Sequence, residues 1–557
     1  MCGILFTVSP DAASLFHGDL ISARGPDSTR SHTIQVASRT LSFTSSLLAL
    51  RGPTPTLQPI VDAASSSVLC WNGEAWRIDS QPLPVGANDT KLVYQILLEA
   101  VENGGDIPGA LRRIDGEFAV VFYDGRRNVI WYGRDWAGRR SLVKKMRNIG
   151  GLTVASVGDD GDDWVEVDAG GWWKVDVVNG KEEWIANEFR WELTQTIAEG
   201  VLDESSPEID DLHRALGEAV RLRVQGIPEP PHANNVSKIA EKPSKLAILF
   251  SGGVDCTTIA RLAHDHLPLS EPIDLLNVAF ENPRVVAARR KEKNIADSAD
   301  IDPYNLCPDR ITGLSSYHEL LSVCPGRSWR FISINVPYSD AISHRDKIIS
   351  LMRPHNTEMD LSIAMAFYFA SRGVGDLVRP SSTSNSGFAY SSYPYTTTSR
   401  ILLSGLGADE LFGGYTRHPT AYMSSGTGSY PKLIEELQLD LDRLPHRNLG
   451  RDDRVTAHWA KEMRYPFLDE EVVRWTSMTS VTKKCPFGMS SLEPSEGKEI
   501  GKSKMILRLL ASKLNMKQAA REKKRAVQFG ARTAKMEIGR GGRGVKGTHT
   551  IMKTVII

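Results

Sequence analysis

The second residue of the chain is a cysteine, and Gly3 follows it. A small residue behind the initiator Met1 allows the methionine to be removed, which leaves the Cys2 thiol and a free α-amine on one residue. An amine with an ordinary pKa near about 8 can serve as the base for its own nucleophile. Cys2 taken alone decides nothing. A second locus is Ser251-Gly252-Gly253-Val254-Asp255-Cys256, which follows an apolar run at 246–250 and precedes a helical pattern. Glycines at a strand-to-helix turn let backbone N–H groups approach an anion, and the helix N-terminus adds a favourable partial charge. A pyrophosphate fits there, although the Lys of a Walker A loop is missing.

These loci need scaffolds, and the chain supplies two kinds. Residues 1–190 carry short apolar runs at 3–8, 67–71, 117–123, 129–133 and 171–177, separated by Gly, Pro, Asp and Asn. That spacing predicts strands of a largely antiparallel sheet system. One helix is predicted at 90–102, with Asp89 as a candidate cap. Another is predicted at 209–224, past a domain boundary near 190–207, and a polar surface loop at 225–245 follows it. From Leu246 the pattern becomes α/β. Strands at 246–250, 273–280, 330–336 and 401–404 alternate with helices at 257–265, 315–322, 359–371, 432–441 and 503–514. Continuous apolar strands of this kind suit a parallel sheet buried on both faces. The Ser-, Thr- and Tyr-rich stretch 380–399 is expected to be a mobile insertion, and the Gly/Arg tail at 538–557 a disordered terminus.

Several further segments follow Cys2 in order: Arg24-Gly25-Pro26-Asp27, Arg51 with Gln58-Pro59, Trp71-Asn72-Gly73-Glu74, Asn88-Asp89-Thr90 and Asp115-Gly116-Glu117-Phe118-Ala119. This set resembles the class II glutamine amidotransferase domain, an N-terminal nucleophile hydrolase with an αββα sandwich. The resemblance implies that Cys2 attacks the glutamine carboxamide while the Asn72 amide and the Gly73 N–H stabilise the oxyanion. Arg51 would bind the α-carboxylate, and Glu74 and Asp89 would receive the α-ammonium or order the loop. A surface arginine, a turn at Asn72-Gly73 and a helix cap at Asp89 are the plainer alternatives. They leave the joint order of the segments unexplained.

The Ser251–Asp255 loop matches the S-G-G-x-D loop of ATP pyrophosphatases. Downstream lie Ser404-Gly405-Leu406-Gly407-Ala408-Asp409, Arg464-Tyr465-Pro466-Phe467-Leu468-Asp469 and Lys524-Arg525-Ala526-Val527-Gln528-Phe529-Gly530. Together with the amidotransferase segments, the chain resembles the glutamine-hydrolysing asparagine synthetase family. Asn448-Leu449-Gly450-Arg451-Asp452-Asp453-Arg454 and the Lys-Arg-Ala-x-Gln-Phe-Gly segment point to its branch of asparagine synthetase domain-containing proteins. The implied architecture is an amidotransferase domain at 1–190 and an α/β ATP-pyrophosphatase-type domain at 205–537.

In that family's terms, Ser251, Gly252, Gly253 and Asp255 would cradle phosphate, with Ser404 and Gly405 near the nucleotide. Leu249 and Val278 would flank adenine, Asp255 and Asp409 would hold Mg²⁺, and Lys524 and Arg454 would neutralise phosphate charge. The implied reaction uses ammonia from glutamine and Mg-ATP to convert aspartate into asparagine through an acyl-adenylate. Two departures matter. Leu406 stands where the family usually has a Glu thought to deprotonate ammonia, and 357–364 lacks the usual Arg. An amidotransferase acting on another carboxylate and a non-catalytic regulatory homologue therefore stay open beside an asparagine synthetase.

Composition bounds these readings. The 557 residues suffice for two to four domains at roughly 100–200 residues each. Lys+Arg and Asp+Glu both number 67, so no global field gathers nucleic acid or anionic lipid, and phosphate handling must be local. The six cysteines form no C-x-x-C pair, which suits reduced thiols. The N-terminus lacks a basic, then apolar leader, and no apolar span of about 18 residues occurs. The expected protein is cytoplasmic, with small-molecule partners and neither nucleic acid nor membrane. Its oligomeric state is open, a homodimer being one option.

Overall fold

The computed structural model describes residues 2–9, 19–147, 151–161, 163–187, 190–200, 202–231, 241–293, 302–381, 389–424, 426, 428–488, 500–534, 536 and 550–551. The N-terminal part is built on two antiparallel sheets. The first runs in the order Val165–Glu166, Val143–Arg147, Gly151–Ala155, Gly3–Ser9, Arg39–Leu47, Ser28–Val36. The second runs Glu182–Ala186, Gly171–Asp176, Val129–Arg134, Ile114–Asp124, Val68–Ile78, Ile60–Val61.

Alternation along the strands joins the two sheets. Ile4, Phe6, Val8, Leu41 and Phe43 from the first pack against Val68, Cys70, Val121 and Tyr123 from the second. The opposite face of the second sheet takes the helices Asp89–Glu102 and Ile107–Arg112 through Val93, Leu97, Ile107 and Leu111. One helical layer and two sheets of the expected αββα sandwich are therefore present. Against Gly3–Ser9 and Arg39–Leu47 lies the short helix Asp19–Arg24.

The C-terminal part is one mixed sheet in the order Ala389–Thr396, Val374–Ser381, Trp329–Val336, Ile273–Phe280, Leu246–Leu249, Ile401–Leu403, Glu462–Arg464. The five strands from Trp329–Val336 to Glu462–Arg464 are parallel. Helix Pro207–Val224 packs its Ile209, Leu212, Leu216 and Val220 face into this domain's core, beside helices Val254–His266 and Met505–Lys513.

Three expectations need correction. The cap of Asp89–Glu102 is Asn88, whose side chain accepts from Lys91 N at 3.2 Å, while Asp89 turns inward. The described part of 380–399 is a hairpin instead of a mobile insertion. Tyr393 and Tyr395 alternate along its outer strand, and Tyr395 anchors it by accepting from Arg330 at 3.0 Å and donating to Asp274 at 3.1 Å. Reading Ser/Thr/Tyr content as a loop missed that β-prone alternation. Residues 382–388 lie outside the described residues. Of the tail expected to be disordered, Thr550 pairs with Thr357 and Ile551 N–H donates to the Asn356 carbonyl at 2.8 Å; the rest lies outside the described residues.

Candidate active sites

Cys2 leads directly into the central strand Gly3–Ser9 of the first sheet and is 8% exposed. Gly3 is required there, because a Cβ would stand 2.5 Å from Ser46 Oγ and 2.8 Å from the Ile21 carbonyl. Burial pushes the Cys2 thiol up to about 11, and Glu462 and Glu74 also oppose its ionisation. A resting thiol of this kind needs a base to become a nucleophile.

Asn72, Gly73 and Glu74 lie on the long strand Val68–Ile78. Gly73 sits against the neighbouring strand, where a Cβ would meet the Glu117 carbonyl at 2.0 Å. Asn72 is fully buried, and neither its Oδ1 nor its Nδ2 has a hydrogen-bond partner. An amide left in that state is open to a ligand or an ordered water.

Arg51, Glu74 and Asp89 gather around Ala75. Arg51 Nη1 donates to the Ala75 carbonyl at 2.6 Å, and Asp89 Oδ2 accepts from Ala75 N at 2.9 Å. Arg51 Nε stands 3.4 Å from Glu74 Oε2. Burial and the like charges of Asp89 and Glu462 push Glu74 up to about 8. Sequence reasoning missed one member of this group. Arg464, from the C-terminal sheet, reaches to 3.3 Å from Glu74 Oε1, while its own backbone carbonyl accepts from Ser404 N at 3.0 Å.

A second site is a cavity of about 550 Å³ at the carboxyl ends of the parallel strands. Such a position is where ligands bind in open α/β sheets. Leu249, Ser251, Gly253, Asp255 and Val278 line it from the first half of the domain, and Ser404, Gly405, Asp409 and Lys524 from the second. Gly252 holds the loop down at φ +80°, in a place where a Cβ would meet the Thr312 carbonyl at 2.4 Å.

Lys504, also missed by sequence reasoning, lies between the two aspartates. Its Nζ is 2.6 Å from Asp255 Oδ2 and 2.7 Å from Asp409 Oδ1, and Lys524 Nζ is 3.1 Å from Asp409 Oδ2. Although burial works the other way, Lys504 and Lys524 hold Asp409 below its usual value, while burial raises Asp255. Nothing in the local sequence distinguishes Lys504 from other lysines; only folding brings it there.

The Asp255 Oδ1 atom is buried without a partner. Two carboxylates with a spare oxygen suit a magnesium ion that keeps phosphate and water oxygens as its other ligands. Among the described residues no cluster of three or more side chains that could hold a metal ion occurs.

Arg454 is the residue the structure places elsewhere. It is 1% exposed, does not line the cavity, and donates to Ser141 Oγ at 2.7 Å and to the carbonyls of Leu351 and Met352, beside Glu166 at 2.6 Å. Its partners come from both domains, so it joins them instead of meeting phosphate. Its presence in a basic motif carried no signal of direction.

Both halves of the chain match known protein families. The family model described as "Glutamine amidotransferase domain" matches residues 1–159, and the one described as "Asparagine synthase" matches 381–433 and 425–540. "Asparagine synthetase domain-containing protein 1" of Mus musculus is 31% identical over 638 residues, covering 96% of this chain and 97% of its own. The chain belongs to the family of asparagine synthetase domain-containing proteins. The Saccharomyces cerevisiae member is 32% identical over 543 residues, covering 95% of this chain and 91% of its own. More distant is "Asparagine synthetase [glutamine-hydrolyzing]" of Homo sapiens, 24% identical over 494 residues, with 84% of this chain and 75% of its own covered. Among the described residues no helix is long and apolar enough to cross a membrane.

Proposed function

We propose that this member of the family couples glutamine hydrolysis at Cys2 to ATP-dependent amidation of a carboxylic acid, with aspartate as the first candidate. The observation that carries the reading is the cavity in which Ser251, Gly253, Asp255, Ser404, Gly405, Asp409 and Lys524 converge, on the same chain as the buried, unpartnered Asn72 amide. In this reading domain 1–190 releases ammonia and domain 205–537 consumes it.

At the first site, the Cys2 sulfur attacks the carboxamide carbon of glutamine. The Asn72 Nδ2 and the Gly73 N–H receive the negative charge on the tetrahedral oxygen, a contribution on the order of 10²–10³ in rate for one donor. Arg51 takes the α-carboxylate, and Glu74 with Asp89 takes the α-ammonium. Ammonia leaves, and water then releases glutamate from the thioester.

At the second site, backbone N–H groups of 251–253 hold phosphate oxygens, and Leu249 and Val278 bracket the base. When bound, Mg-ATP supplies the adenylyl group, with the metal offsetting phosphate charge. Asp255 and Asp409 would hold that ion, and Lys524 would turn from Asp409 toward the departing pyrophosphate. The acceptor carboxylate becomes a mixed anhydride that ammonia opens with loss of AMP. Leu406, which has no proton-accepting group, favours a second reading in which the acceptor is an acid other than aspartate.

The test is mass spectrometry of products from glutamine, Mg-ATP and a panel of acids, run beside Cys2→Ala. AMP and pyrophosphate with one amidated acid are expected, and Cys2→Ala should form that amide only from added ammonia. Formation of ADP, or AMP formation independent of any acid, refutes the adenylation reading. Absence of glutaminase activity in the wild-type protein refutes the first half.

A further inference from the structure

An amine that attacks an acyl-adenylate gives a tetrahedral adduct bearing an extra proton on nitrogen, and that proton must leave before AMP can be expelled. Leu406 lines the cavity but cannot accept it. Five carboxylates do line the cavity: Asp255, Asp309, Asp360, Asp409 and Asp452. Asp255 and Asp409 are engaged with Lys504, and Asp309 sits beside Asn277 and Val278 at the end that would bracket the base. Asp360 accepts from Arg451 and Thr357.

Asp452 differs. Its Oδ1 accepts from Arg451 Nε at 2.9 Å, while its Oδ2 is buried with no partner. Its place in the fold also matters. On helix Leu449–Ala457, the adjacent Asp453 turns to the other domain, where its Oδ2 accepts from Arg24 Nη2 at 2.7 Å, and Arg24 Nε in turn donates to the Cys2 carbonyl at 3.3 Å. Asp452 therefore lines the cavity one residue away from a contact with the glutamine domain. Tyr465 Oη and Asp453 Oδ1 are also buried without partners, and neither residue lines the cavity.

We propose that Asp452 is the general base of the amidation step, accepting the proton from the incoming nitrogen in place of a residue at 406. The inference rests on the adenylation reading above. As the C–N bond forms, one N–H proton passes to Asp452 Oδ2. The bond from the acyl carbon to the phosphate oxygen then breaks with its electron pair on AMP, and Asp452 later returns its proton to water. Burial and the neighbouring Asp360 push the Asp452 carboxyl up to about 6, against the opposing pull of Arg451 and Arg454. Charged and titratable groups around it include those three and Tyr465, with His355 on the same cavity lining beside Asp360 at 3.9 Å. It is thus ionised and able to accept a proton at neutral pH.

The experiment compares wild type, Asp452→Asn and Asp452→Asn/Leu406→Glu in two assays: acid-dependent ATP–pyrophosphate exchange, and amide formation from ammonia. Asparagine keeps an acceptor for Arg451, and glutamine hydrolysis at Cys2 reports an intact fold. Asp452→Asn should retain exchange and lose amide formation on the order of 10²–10⁴-fold, the usual range for a general base. The acid limb near pH 6 in the wild-type amidation profile should disappear, and Leu406→Glu should restore part of the rate. Isotope-edited infrared difference spectra of nucleotide-free protein should show a carboxyl titrating near pH 6 that Asp452→Asn removes. Amide formation at the wild-type rate, or equal loss of exchange and amidation, overturns the assignment. No exchange in the wild type with any acid overturns the adenylation reading itself, and the proposal with it.

Discussion

Asn72→Ala separates function from stability in a way few buried substitutions do. A buried asparagine normally has its amide bonded, and truncation then costs stability. Here both amide atoms of a fully buried residue lack partners. Deleting them removes an unsatisfied group worth about 1–3 kcal/mol. The three heavy atoms lost leave a void costing about 2–3 kcal/mol, at roughly 1 kcal/mol per methyl-sized gap. The two nearly cancel, so the stability change is expected within about 1 kcal/mol of zero. Glutamine hydrolysis should meanwhile fall on the order of 10²–10³-fold, equivalent to about 2.7–4 kcal/mol of transition-state stabilisation. Urea unfolding measures the first quantity and ammonia release from glutamine the second. A kcat/KM within threefold of wild type, or a stability loss of 3 kcal/mol or more, refutes the assignment of Asn72 to the oxyanion.

The remaining predictions concern charge. Lys504→Met leaves the half-buried Asp255 and Asp409 together without their shared cation, so a loss somewhat below the roughly 3–5 kcal/mol of a fully buried pair is expected; that deficit should shrink in acid as one carboxylate takes a proton, which thermal melts against pH will show. Arg454→Met should lower stability by a similar amount while sparing nucleotide affinity, whereas Lys524→Met should weaken nucleotide affinity and spare stability; calorimetric ATP titrations beside urea melts distinguish them. Arg464→Met removes a cation from Glu74 while leaving the Arg464 carbonyl on Ser404 N, so KM for glutamine should rise several-fold and pyrophosphate exchange should hold. Glu74, Glu470 and Asp452 are raised by burial to about 8, 7 and 6, so their contribution is complete below the unfolded carboxylate range and is lost as pH rises through those values. Glu117, Glu166 and Asp469 are held low by arginines despite burial, so theirs is present above about 4 and lost as pH falls below it. Melting temperature should therefore peak in mild acid, near pH 5, and a monotonic rise toward pH 8 would contradict these directions.

Much of this was legible before folding. Apolar periodicity located the strand Ile273–Phe280 to the residue and most of the other elements it predicted within a few positions, because burial on one or both faces writes itself into spacing, while the polar strands Ser28–Val36 and Arg39–Leu47 went unread. The nucleotide loop was readable for a similar reason, since glycines and an aspartate at a strand-to-helix turn have few other uses. What escaped were residues whose role depends on partners far along the chain. Lys504 meets Asp255 across 249 positions, and Arg464 meets Glu74 across 390. Arg454 was misplaced because a basic motif states a charge but not the direction in which it points. The hairpin Val374–Ser381 with Ala389–Thr396 escaped because its outer strand is built from tyrosine and hydroxyl residues, which composition alone assigns to loops.

The motif residues that belong to neither site share one location, and that location explains them. Arg24 of the Arg-Gly-Pro-Asp segment holds Asp453 at 2.7 Å, and Asp27 of the same segment holds Arg400 at 2.7 Å, just before the strand Ile401–Leu403. Arg454 ties Ser141 and Glu166, and Glu117 accepts from Arg140 at 2.9 Å, from Arg223 at 2.9 Å and from Tyr465 N at 3.0 Å. The Arg24–Asp453 and Glu117 pairs are dry, while Asp27, Arg400 and Glu166 keep about a fifth of their side-chain surface in water. A buried ion pair adds little net stability over well-packed apolar side chains, but one broken partner is costly. An apolar interface would permit sliding; bonds with fixed geometry do not. The joint is therefore suited to hold Cys2 and the nucleotide loop in one register, and Arg464 spans it within a single residue, its side chain at Glu74 and its carbonyl at Ser404. So exacting a joint fits the proposed reading in which a small product of the first site is consumed at the second.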